Sequence, residues 1–514
     1  MTSKFSYDAV PYPSFTFPQT NPSRLAVMAA YYGMEPASPE NCRVLELGCG
    51  DGANLMSFAT IFPLSDFVGI DLSEVHIADA KKSTADLGLL NVTFEQKDVT
   101  DFSTNKYGKF DFIIAHGLYS WVPDVVRERI LHIYDECLTP SGVGYISYNA
   151  YPGSYFREIC RNIMTFHAEG IADPIAKVQE GINFLEMLAR FTKAGSSYRK
   201  ILESEREKML TRRPENIFHD EFGEINRPFF FHEFAHHLEG HGLQYICECH
   251  PWDQKVDVPN EAEQMISGLT GDVIRSEQYR DFISCRRFRS TLVCRDMIEL
   301  DRTPKTDVVK TSYIISKVRA TSTSPDLKDG VAEKFTGQRG QTVEVNHPLT
   351  KAALVYLQQI WARSSSFEEL ISNAQHMLGH NGTGPKPEDV ERTAAFLLQL
   401  FETGFIALDR FQSRFASSPG DFPETTRFGK WQVLRGSDNI TTLSGMNMEL
   451  DNDLIKFLIL LLDGKHDREA LFARIIESAE VPAGMEDEYV KALPGLIEQS
   501  LEWLAHSGML VPND

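Results

Sequence analysis

Short apolar segments alternate with amphipathic segments of helix length over the first part of the chain. Apolar runs rich in valine, isoleucine and phenylalanine predict buried strands, and their alternation with helices predicts a parallel sheet. Two similar runs come much later and are expected to complete the same sheet. The predicted strands are residues 43–47, 67–71, 92–96, 110–115, 144–148, 243–248 and 290–294. This pattern is typical of an α/β protein with a doubly wound sheet.

Helical periodicity dominates the rest of the chain. Residues 156–213 predict a helical insertion before the last two strands. After residue 300, two blocks about 100 residues apart each place helical segments before a glycine, Gly404 or Gly508, and a short apolar run. This outline resembles a winged helix, so we expect mostly helical, winged-helix-like modules at the C-terminus. The expected units are an N-terminal lid segment (1–40), the sheet domain (41–300), a middle or regulatory domain (301–425) and a C-terminal helical domain (426–514).

Composition narrows the function classes. The 514 residues carry a net charge of −21, which repels the phosphate backbone of nucleic acids, and neither helical block has a basic recognition helix. The eight cysteines form no CxxC pair and are expected to be reduced packing residues. The longest apolar run, residues 457–462, is too short to span a bilayer. With no signal segment at the start, a cytoplasmic location is expected.

Four features lie at the carboxyl ends of the predicted strands, where doubly wound sheets bind ligands. A glycine-rich turn at residues 48–52 follows the first strand, and Asp71 ends the second, where a carboxylate can accept both ribose hydroxyls. Asp98 follows the third strand and is placed to meet an adenine amino group, with the backbone of Val99 at a ring nitrogen. A turn at residues 138–144 leads into the fifth strand. Together they indicate a nucleoside-containing ligand.

These features also have two simpler interpretations. The glycine turn fits the dinucleotide pattern G-x-G-x-x-G/A, as in nicotinamide enzymes. Asp71 and Asp98 are suitable helix N-caps.

The E-L-G-C-G-D-G turn, the G-I-D-L-S strand end and the L-x-P-x-G turn resemble those of the class I S-adenosylmethionine-dependent methyltransferases. Further segments (residues 7–14, 116–123, 147–153 and 228–234) are similar to methyltransferases that carry a methyltransferase regulatory domain. That group includes bacterial lysine methyltransferases of outer-membrane proteins. The resemblance implies a Rossmann-like methyltransferase sheet, S-adenosyl-L-methionine as cofactor, and a lysine of a protein as methyl acceptor. It implies that the cofactor is bound by Tyr7, Tyr12, Glu46, Gly48, Cys49, Gly50, Asp71, Leu72, Asp98, Val99 and His116.

Methyl transfer from a sulfonium requires an aligned acceptor with a free lone pair, and an apolar aromatic channel favours the uncharged amine of a lysine. Aromatic residues follow the fourth and fifth strands, and they are candidates for this channel; alternatively they only cap the sheet. His116 is a candidate local base or cofactor contact, or else a packed neutral histidine. Asn149 is a candidate for orienting the acceptor. The candidate catalytic residues are His116, Tyr119, Trp121, Tyr148 and Asn149, with Tyr151 as a further channel residue.

The segment from Tyr7 to Asn21 is rich in proline and aromatic residues and is expected to fold over the cofactor as a lid, unless it is an unstructured terminus. His232-Glu233-x-x-His236 matches the H-E-x-x-H zinc signature, but helical spacing places both histidines opposite the apolar face. We therefore predict no metal and keep a zinc hydrolase as a remote possibility. The sequence is also compatible with a small-molecule methyltransferase or with a methyltransferase-fold binding or regulatory module. Expected partners are a protein substrate and a second copy of the chain.

Overall fold

A seven-stranded sheet forms the centre of the computed structural model, which describes residues 10, 15–254, 258–379, 384–478 and 486–512. Its strands are β1 (Arg43–Leu47), β2 (Asp66–Asp71), β3 (Val92–Gln96), β4 (Phe110–Ala115), β5 (Leu138–Asn149), β6 (Leu243–Glu248) and β7 (Phe288–Arg295). The strand order is β3-β2-β1-β4-β5-β7-β6. All neighbouring strands are parallel except β7, which is antiparallel to both β5 and β6.

The order reverses between β1 and β4, so the carboxyl ends of these strands border the crevice in which such sheets bind ligands. The alternation of strands and helices predicted the parallel arrangement of β1 to β5 but not the direction of the two late strands, because hydrophobic periodicity marks a strand without showing its direction. Since β7 is antiparallel to β5, its first residue Phe288 pairs with Asn149, the last residue of β5, at the same edge as the crevice.

Helices cover both faces of the sheet. Ile130 and Leu238 pack with Leu45 on one face, while Leu25 and Leu55 pack with Val44 on the other. The alternation of Val44 and Leu45 along β1 therefore serves two cores. The helices before residue 300 are α1 (Pro22–Tyr31), α2 (Ala53–Ile61), α3 (Glu74–Leu87), α4 (Thr104–Tyr107), α5 (Asp124–Cys137), α6 (Ser154–His167), α7 (Pro174–Phe191), α8 (Ser197–Leu210), α9 (Pro214–Phe222), α10 (Phe231–Glu239), α11 (Asn260–Leu269) and α12 (Val273–Ser284), with short 3-10 turns at Pro18–Thr20, Val99–Asp101 and Pro251–Gln254.

Helices α6 to α9 form the insertion and have a core of their own, which includes Cys160, Leu185, Leu202 and Ile217. They begin two residues before the insertion predicted at residues 156–213 and end nine residues after it, because α9 follows the predicted insertion directly.

The fifth strand begins earlier than predicted, at Leu138 rather than Gly144. The pairing with β4 jumps from Phe110–Leu138 to Phe112–Val143, so the predicted turn forms a wide bulge inside the strand. A Cβ atom on Gly142 would lie 2.9 Å from the Leu138 side chain, so the tight bend requires glycine there.

Two helical blocks follow residue 300. Their elements are β8 (Tyr313–Ile315), β9 (Arg319–Ala320), β10 (Glu333–Thr336), β11 (Thr342–Val345), β12 (Ser365–Ser366), β13 (Ala407–Asp409), β14 (Asn439–Thr441), β15 (Asn447–Glu449), α13 (Asp307–Lys310), α14 (Pro348–Ile360), α15 (Phe367–Met377), α16 (Pro387–Glu402), α17 (Arg427–Leu434), α18 (Asp453–Leu461), α19 (Arg468–Ser478) and α20 (Glu486–His506). In the first block, α14 to α16 precede Gly404 (φ 74°) and β13. In the second block, α18 to α20 precede Gly508 (φ 73°) and a bridge between Leu510 and Thr425.

The core of the first block is continuous with that of the sheet, since Leu354 and Leu397 belong to the same cluster as Leu25 and Tyr145. The last block has a separate core that includes Leu458 and Leu501. Among the described residues, no helix has both the length and the apolar character that crossing a bilayer requires.

Candidate active site

The glycine turn after β1 is fixed to the end of β2 by hydrogen bonds. The backbone N–H groups of Gly48 and Cys49 donate to the carbonyl of Ile70 at 2.9 and 3.1 Å, and the N–H of Gly50 donates to Oδ2 of Asp71 at 2.9 Å. Gly48 and Gly50 have φ angles of 75° and 54°, which favour glycine. The structure therefore brings together the turn and the carboxylate that the sequence singled out.

Glu46 and Asn54 form a buried polar pair beneath this turn. Asn54 Nδ2 donates to Oε1 of Glu46 at 2.8 Å, while Oε2 of Glu46 has no hydrogen-bond partner in the part of the chain that the structure describes. Burial, together with the nearby Asp71 and Asp51, raises the pKa of Glu46 to about 8, although the hydrogen bond from Asn54 acts in the opposite direction. This carboxyl is therefore mostly neutral at pH 7 and would gain from a cationic partner.

The residues at this edge fit S-adenosylmethionine in their chemistry. A Cβ built on Gly50 would meet no described atom within 4 Å, so the turn faces open space. The unpartnered Oε2 of Glu46 suits the ammonium group of an amino acid, and Asp71 at the strand end suits a ribose diol. Both of these side chains are acidic, which suits a ligand that carries positive charge.

The remaining predicted cofactor contacts lie along the same edge. Asp98 accepts hydrogen bonds from the N–H and the hydroxyl of Thr100, at 2.8 and 2.7 Å, and so caps the 3-10 turn that begins at Val99. Leu72 is exposed beside Asp71, whereas Cys49 is buried within the turn. Asp98 is therefore an N-cap in the structure, as the simpler interpretation of the sequence has it. To bind a ligand, the Asp98 carboxylate would have to contact the ligand and the turn at the same time.

His116 follows β4 and is held by two residues of β5. Its Nδ1 lies 2.9 Å from the Tyr145 hydroxyl and 3.2 Å from Oγ of Ser147. The Tyr145 hydroxyl donates to Oγ of Ser290 and is therefore able to accept a hydrogen bond from Nδ1–H of His116. In the tautomer that makes this bond, the lone pair of the imidazole is on Nε2. Burial lowers the pKa of His116 to about 4. The ring is uncharged at neutral pH.

The described part of the leader lies against this histidine. The ring of Phe17 is centred 3.9 Å from that of His116, and the Phe17 N–H donates to Oδ1 of Asn54 at 2.9 Å. The leader thus contacts both Asn54, the partner of Glu46, and His116. The two tyrosines expected at the cofactor, Tyr7 and Tyr12, lie outside the described residues.

Two candidate channel residues are packing residues instead. The rings of Tyr119 and Tyr148 are completely or almost completely buried against Phe229 and Phe234, and the Tyr119 hydroxyl bonds to Nδ1 of His237. Sequence spacing placed them near the crevice, but the pleat of β5 turns Tyr148 to the face opposite Tyr145. The structure thus places both rings in the core, as in the alternative interpretation that these aromatic residues only cap the sheet.

The other candidates lie on the side of the helical insertion. The guanidinium of Arg157 stands 5.6 Å from the centre of the Trp121 ring, and the Tyr151 hydroxyl donates to Glu158 at 2.8 Å. Asn149 ends β5, is buried, and donates from Nδ2 to Asn226 at 2.9 Å.

Sequence reasoning missed several residues of the site, namely Phe17, Asn54, Tyr145, Ser147, Phe288 and Ser290. Tyr145 and Ser147 alternate along a predicted strand, which indicates a shared face but not its partner. Phe288 is half exposed and its ring centre lies 6.3 Å from that of His116. Contacts between such distant positions leave no local signal in one sequence.

The H-E-x-x-H residues do not meet a third ligand among the described residues. Nδ1 of His232 lies 2.9 Å from Oε1 of Gln278. The His236 side chain is 89% exposed beside Glu239. Both histidines project from the helix face opposite Phe234, as the spacing predicted.

Two family models match successive parts of the chain before residue 300. Residues 38–191 match the model of a methyltransferase domain, and residues 213–295 match that of a predicted methyltransferase regulatory domain. The second match includes α10, β6 and β7, and so lies before residue 301, where the middle or regulatory domain was expected to begin.

Relatives extend the similarity to the whole chain. An uncharacterized protein of Rickettsia prowazekii is 30% identical over 526 residues, which cover 98% of this chain and 93% of that protein. The solved structure of PKMT2 from Rickettsia typhi covers 98% of this chain and 100% of its own, with 26% identity and a TM-score of 0.86; PKMT2 in complex with AdoHcy gives 0.84. The chain therefore belongs to the same family as the Rickettsia prowazekii protein, and it is a class I S-adenosylmethionine-dependent methyltransferase with a methyltransferase regulatory domain.

Proposed function

We propose that the protein N-methylates lysine side chains of a protein substrate, with His116 beside the reacting amine. The observation that carries the proposal is the similarity to PKMT2 over nearly the whole chain, because it includes the helical blocks after residue 300 as well as the methyltransferase sheet. A small-molecule methyltransferase has less need of such accessory structure. The similarity to the trans-aconitate 2-methyltransferase of Variovorax paradoxus covers only 20% of this chain.

The cofactor-binding role is assigned to the turn and the strand ends. Glu46 would pair with the ammonium of the methionine part, Gly50 would let the backbone approach the ligand, and Asp71 would accept from the ribose hydroxyls. When bound, S-adenosylmethionine supplies an electrophilic methyl group on a sulfonium. Asp98 and Val99 would border the adenine at the end of β3.

His116 is assigned a positioning role toward the acceptor amine rather than that of a base. With a pKa of about 4, its imidazole is too weak to remove a proton from an ammonium, but its Nε2 lone pair can accept a hydrogen bond from the amine N–H. An uncharged ring also avoids repulsion with the sulfonium. The proton of the lysine ammonium is lost to solvent before transfer.

The rings around His116 would serve as the lysine channel. Phe17 and Phe288 both face the imidazole, and Tyr145 holds it from the third side. Apolar walls favour the uncharged amine because they remove the solvation of the ammonium form. We therefore assign the channel to Phe17 and Phe288 in place of Tyr119 and Tyr148.

Transfer of a labelled methyl group tests the proposal. The protein is incubated with S-adenosylmethionine labelled in the methyl group and with a bacterial lysate, and label is measured in filtered small molecules and in proteins. Labelled proteins are treated with mild base, which hydrolyses carboxyl methyl esters but leaves N-methyl-lysine intact, and are then sequenced by mass spectrometry. We expect base-stable label on lysine.

The matched control is the Asp71→Ala variant, which should lose most of the label because the ribose loses its acceptor. Label that appears only in small molecules would support a small-molecule methyltransferase. Base-labile label on protein would point to carboxyl methylation. Cofactor binding without any transfer would favour a binding or regulatory module.

A further inference from the structure

Two histidines and a glutamate meet between α5 and the end of α10, the helices that cover one face of the sheet. Oε1 of Glu128 lies 3.0 Å from Nε2 of His237, and Oε2 of Glu128 lies 2.9 Å from Nε2 of His241. One potential ligand atom of each residue lies within 4.8 Å of the others. Neither histidine belongs to the H-E-x-x-H motif; His237 is the residue after it.

The local fold explains why these residues converge. Glu128 projects from α5, while His237 lies in the last turn of α10. After α10 the chain continues for one more turn, with the His241 N–H donating to the carbonyl of Leu238 at 2.9 Å. Gly242 (φ 67°) then leads into β6. The two histidines therefore stand four residues apart on one side of this turn, facing α5.

The chemistry of the three residues is that of a transition-metal site. Imidazole nitrogens and a carboxylate are common zinc ligands, and ligands about 2.0–2.2 Å from zinc in a tetrahedron stand about 3.3 Å from each other. The spacings of 2.9 and 3.0 Å are hydrogen bonds between the two imidazoles and the two oxygens of Glu128, and one ligand atom of each of the three residues lies within 4.8 Å of the others. An ion would replace the ring protons at Nε2 after adjustment of these side chains. The Glu128 side chain is 56% exposed, which leaves the site open to solvent.

A second partner orients one of the histidines. Nδ1 of His237 bonds to the buried hydroxyl of Tyr119. With Nε2 bound to a metal, the Nδ1–H would donate to this hydroxyl, which is the arrangement by which ligating histidines are usually held. His132, one turn after Glu128 on α5, packs its ring edge-on against that of His241, with the ring centres 4.7 Å apart.

We propose that Glu128, His237 and His241 bind a divalent zinc ion, with Tyr119 as the residue that orients His237. The inference is independent of the proposed substrate. His237 and His241 belong to the match with the regulatory domain, and Glu128 to the match with the methyltransferase domain. The ion would therefore link the methyltransferase domain to the regulatory domain. Through Tyr119 it would also steady the loop after β4, where Oγ of Ser120 accepts from the Asn149 N–H at 2.9 Å.

Metal content and Co²⁺ spectroscopy of the untagged full-length protein test the site. We expect about one zinc per chain by elemental mass spectrometry, and visible bands of tetrahedral Co²⁺ when chelator-treated protein is titrated with Co²⁺. His241→Gln and Glu128→Gln should each reduce zinc to background. Tyr119→Phe should weaken Co²⁺ binding by about 10- to 100-fold, because it removes the partner of a ligand.

The matched control is His236→Gln, which changes an exposed histidine of the same helix and should retain zinc. Calorimetric binding of S-adenosylhomocysteine verifies that each variant is folded. Two results would overturn the proposal: a wild-type protein with neither zinc nor tetrahedral Co²⁺ bands, or equal zinc in His241→Gln and His236→Gln. Loss of methyl transfer with an intact metal site would bear only on the proposed function.

Discussion

The backbone N–H of Gly50 donates a hydrogen bond of 2.9 Å to the Asp71 carboxylate, which joins the glycine turn after β1 to the end of β2. The other oxygen of Asp71 accepts from the Ser73 N–H at 2.9 Å. This carboxylate therefore shapes the turn, in addition to its proposed contact with a ribose.

Asp71→Ala should weaken S-adenosylhomocysteine binding about tenfold to several hundredfold, because hydrogen bonds to a charged acceptor are each worth about 1.5–3 kcal/mol. Isothermal calorimetry measures the change. Asp86→Ala, which alters an exposed aspartate of α3, is the control and should bind normally. Unchanged affinity in a folded Asp71→Ala protein would place the ribose elsewhere.

Cofactor binding should depend on pH through Glu46. Because its pKa is raised to about 8, the carboxyl is protonated at lower pH and must lose this proton to pair with an ammonium. Affinity should therefore fall as pH falls from 8 to 6, by at most about tenfold per pH unit. Calorimetry at pH 7 in buffers of different ionisation enthalpy should detect close to one released proton. Glu46→Gln should abolish both effects, and an identical proton count in that variant would refute the assignment.

Removing the His116 imidazole should lower turnover more than cofactor affinity. In His116→Phe the acceptor lone pair is absent, and a decrease in kcat of about tenfold or more is expected if it orients the amine. His116→Gln, which keeps a hydrogen-bond acceptor, should recover part of the rate. Because the pKa of His116 is about 4, the wild-type pH profile should contain no inflection near pH 6.5 from this residue. An inflection that disappears in His116→Phe would show a titrating base instead.

Arg435 of the C-terminal block contacts the cofactor turn. Arg435, which follows α17, pairs with Asp79 of α3 and lies 3.7 Å from Asp51 of the glycine turn. Arg435→Ala should weaken cofactor binding about two- to fivefold, since partly exposed pairs contribute up to about 1 kcal/mol. Arg474→Ala removes an exposed pair within α19 and should have no effect. Equal affinities in the two variants would argue against this coupling.

A buried ionic cluster stabilises the last two strands. Arg289 of β7 is fully buried and pairs with Glu248, Glu277 and Asp281 at 2.7 to 3.0 Å. Arg289→Met should lower the free energy of unfolding by about 3–5 kcal/mol, because it leaves buried carboxylates without their cation. Urea unfolding measures this loss. Arg190→Ala, at an exposed pair, should cost less than about 1 kcal/mol, and a similar loss in both variants would contradict the prediction.

The glycine turn, Asp71 and the approximate positions of the strands followed from the sequence alone, although β5 begins six residues earlier than its apolar run indicates. Strand and turn signals are local, since a buried strand needs a short apolar run and a turn with positive φ needs glycine. The order in which these signals occur along the chain was enough to predict the α/β sheet and its carboxyl-end crevice. S-adenosylmethionine as cofactor came from the resemblance of the glycine turn and the strand ends to those of class I methyltransferases.

Tertiary structure decided which face each side chain occupies and which distant residues meet. It turned Tyr148 and Tyr119 into the core, inserted β7 antiparallel between β5 and β6, and paired Glu46 with Asn54. It also brought Glu128 to His237 and His241 across two helices. These contacts join residues far apart in the chain, and they arise from the packing of whole elements rather than from any local sequence preference.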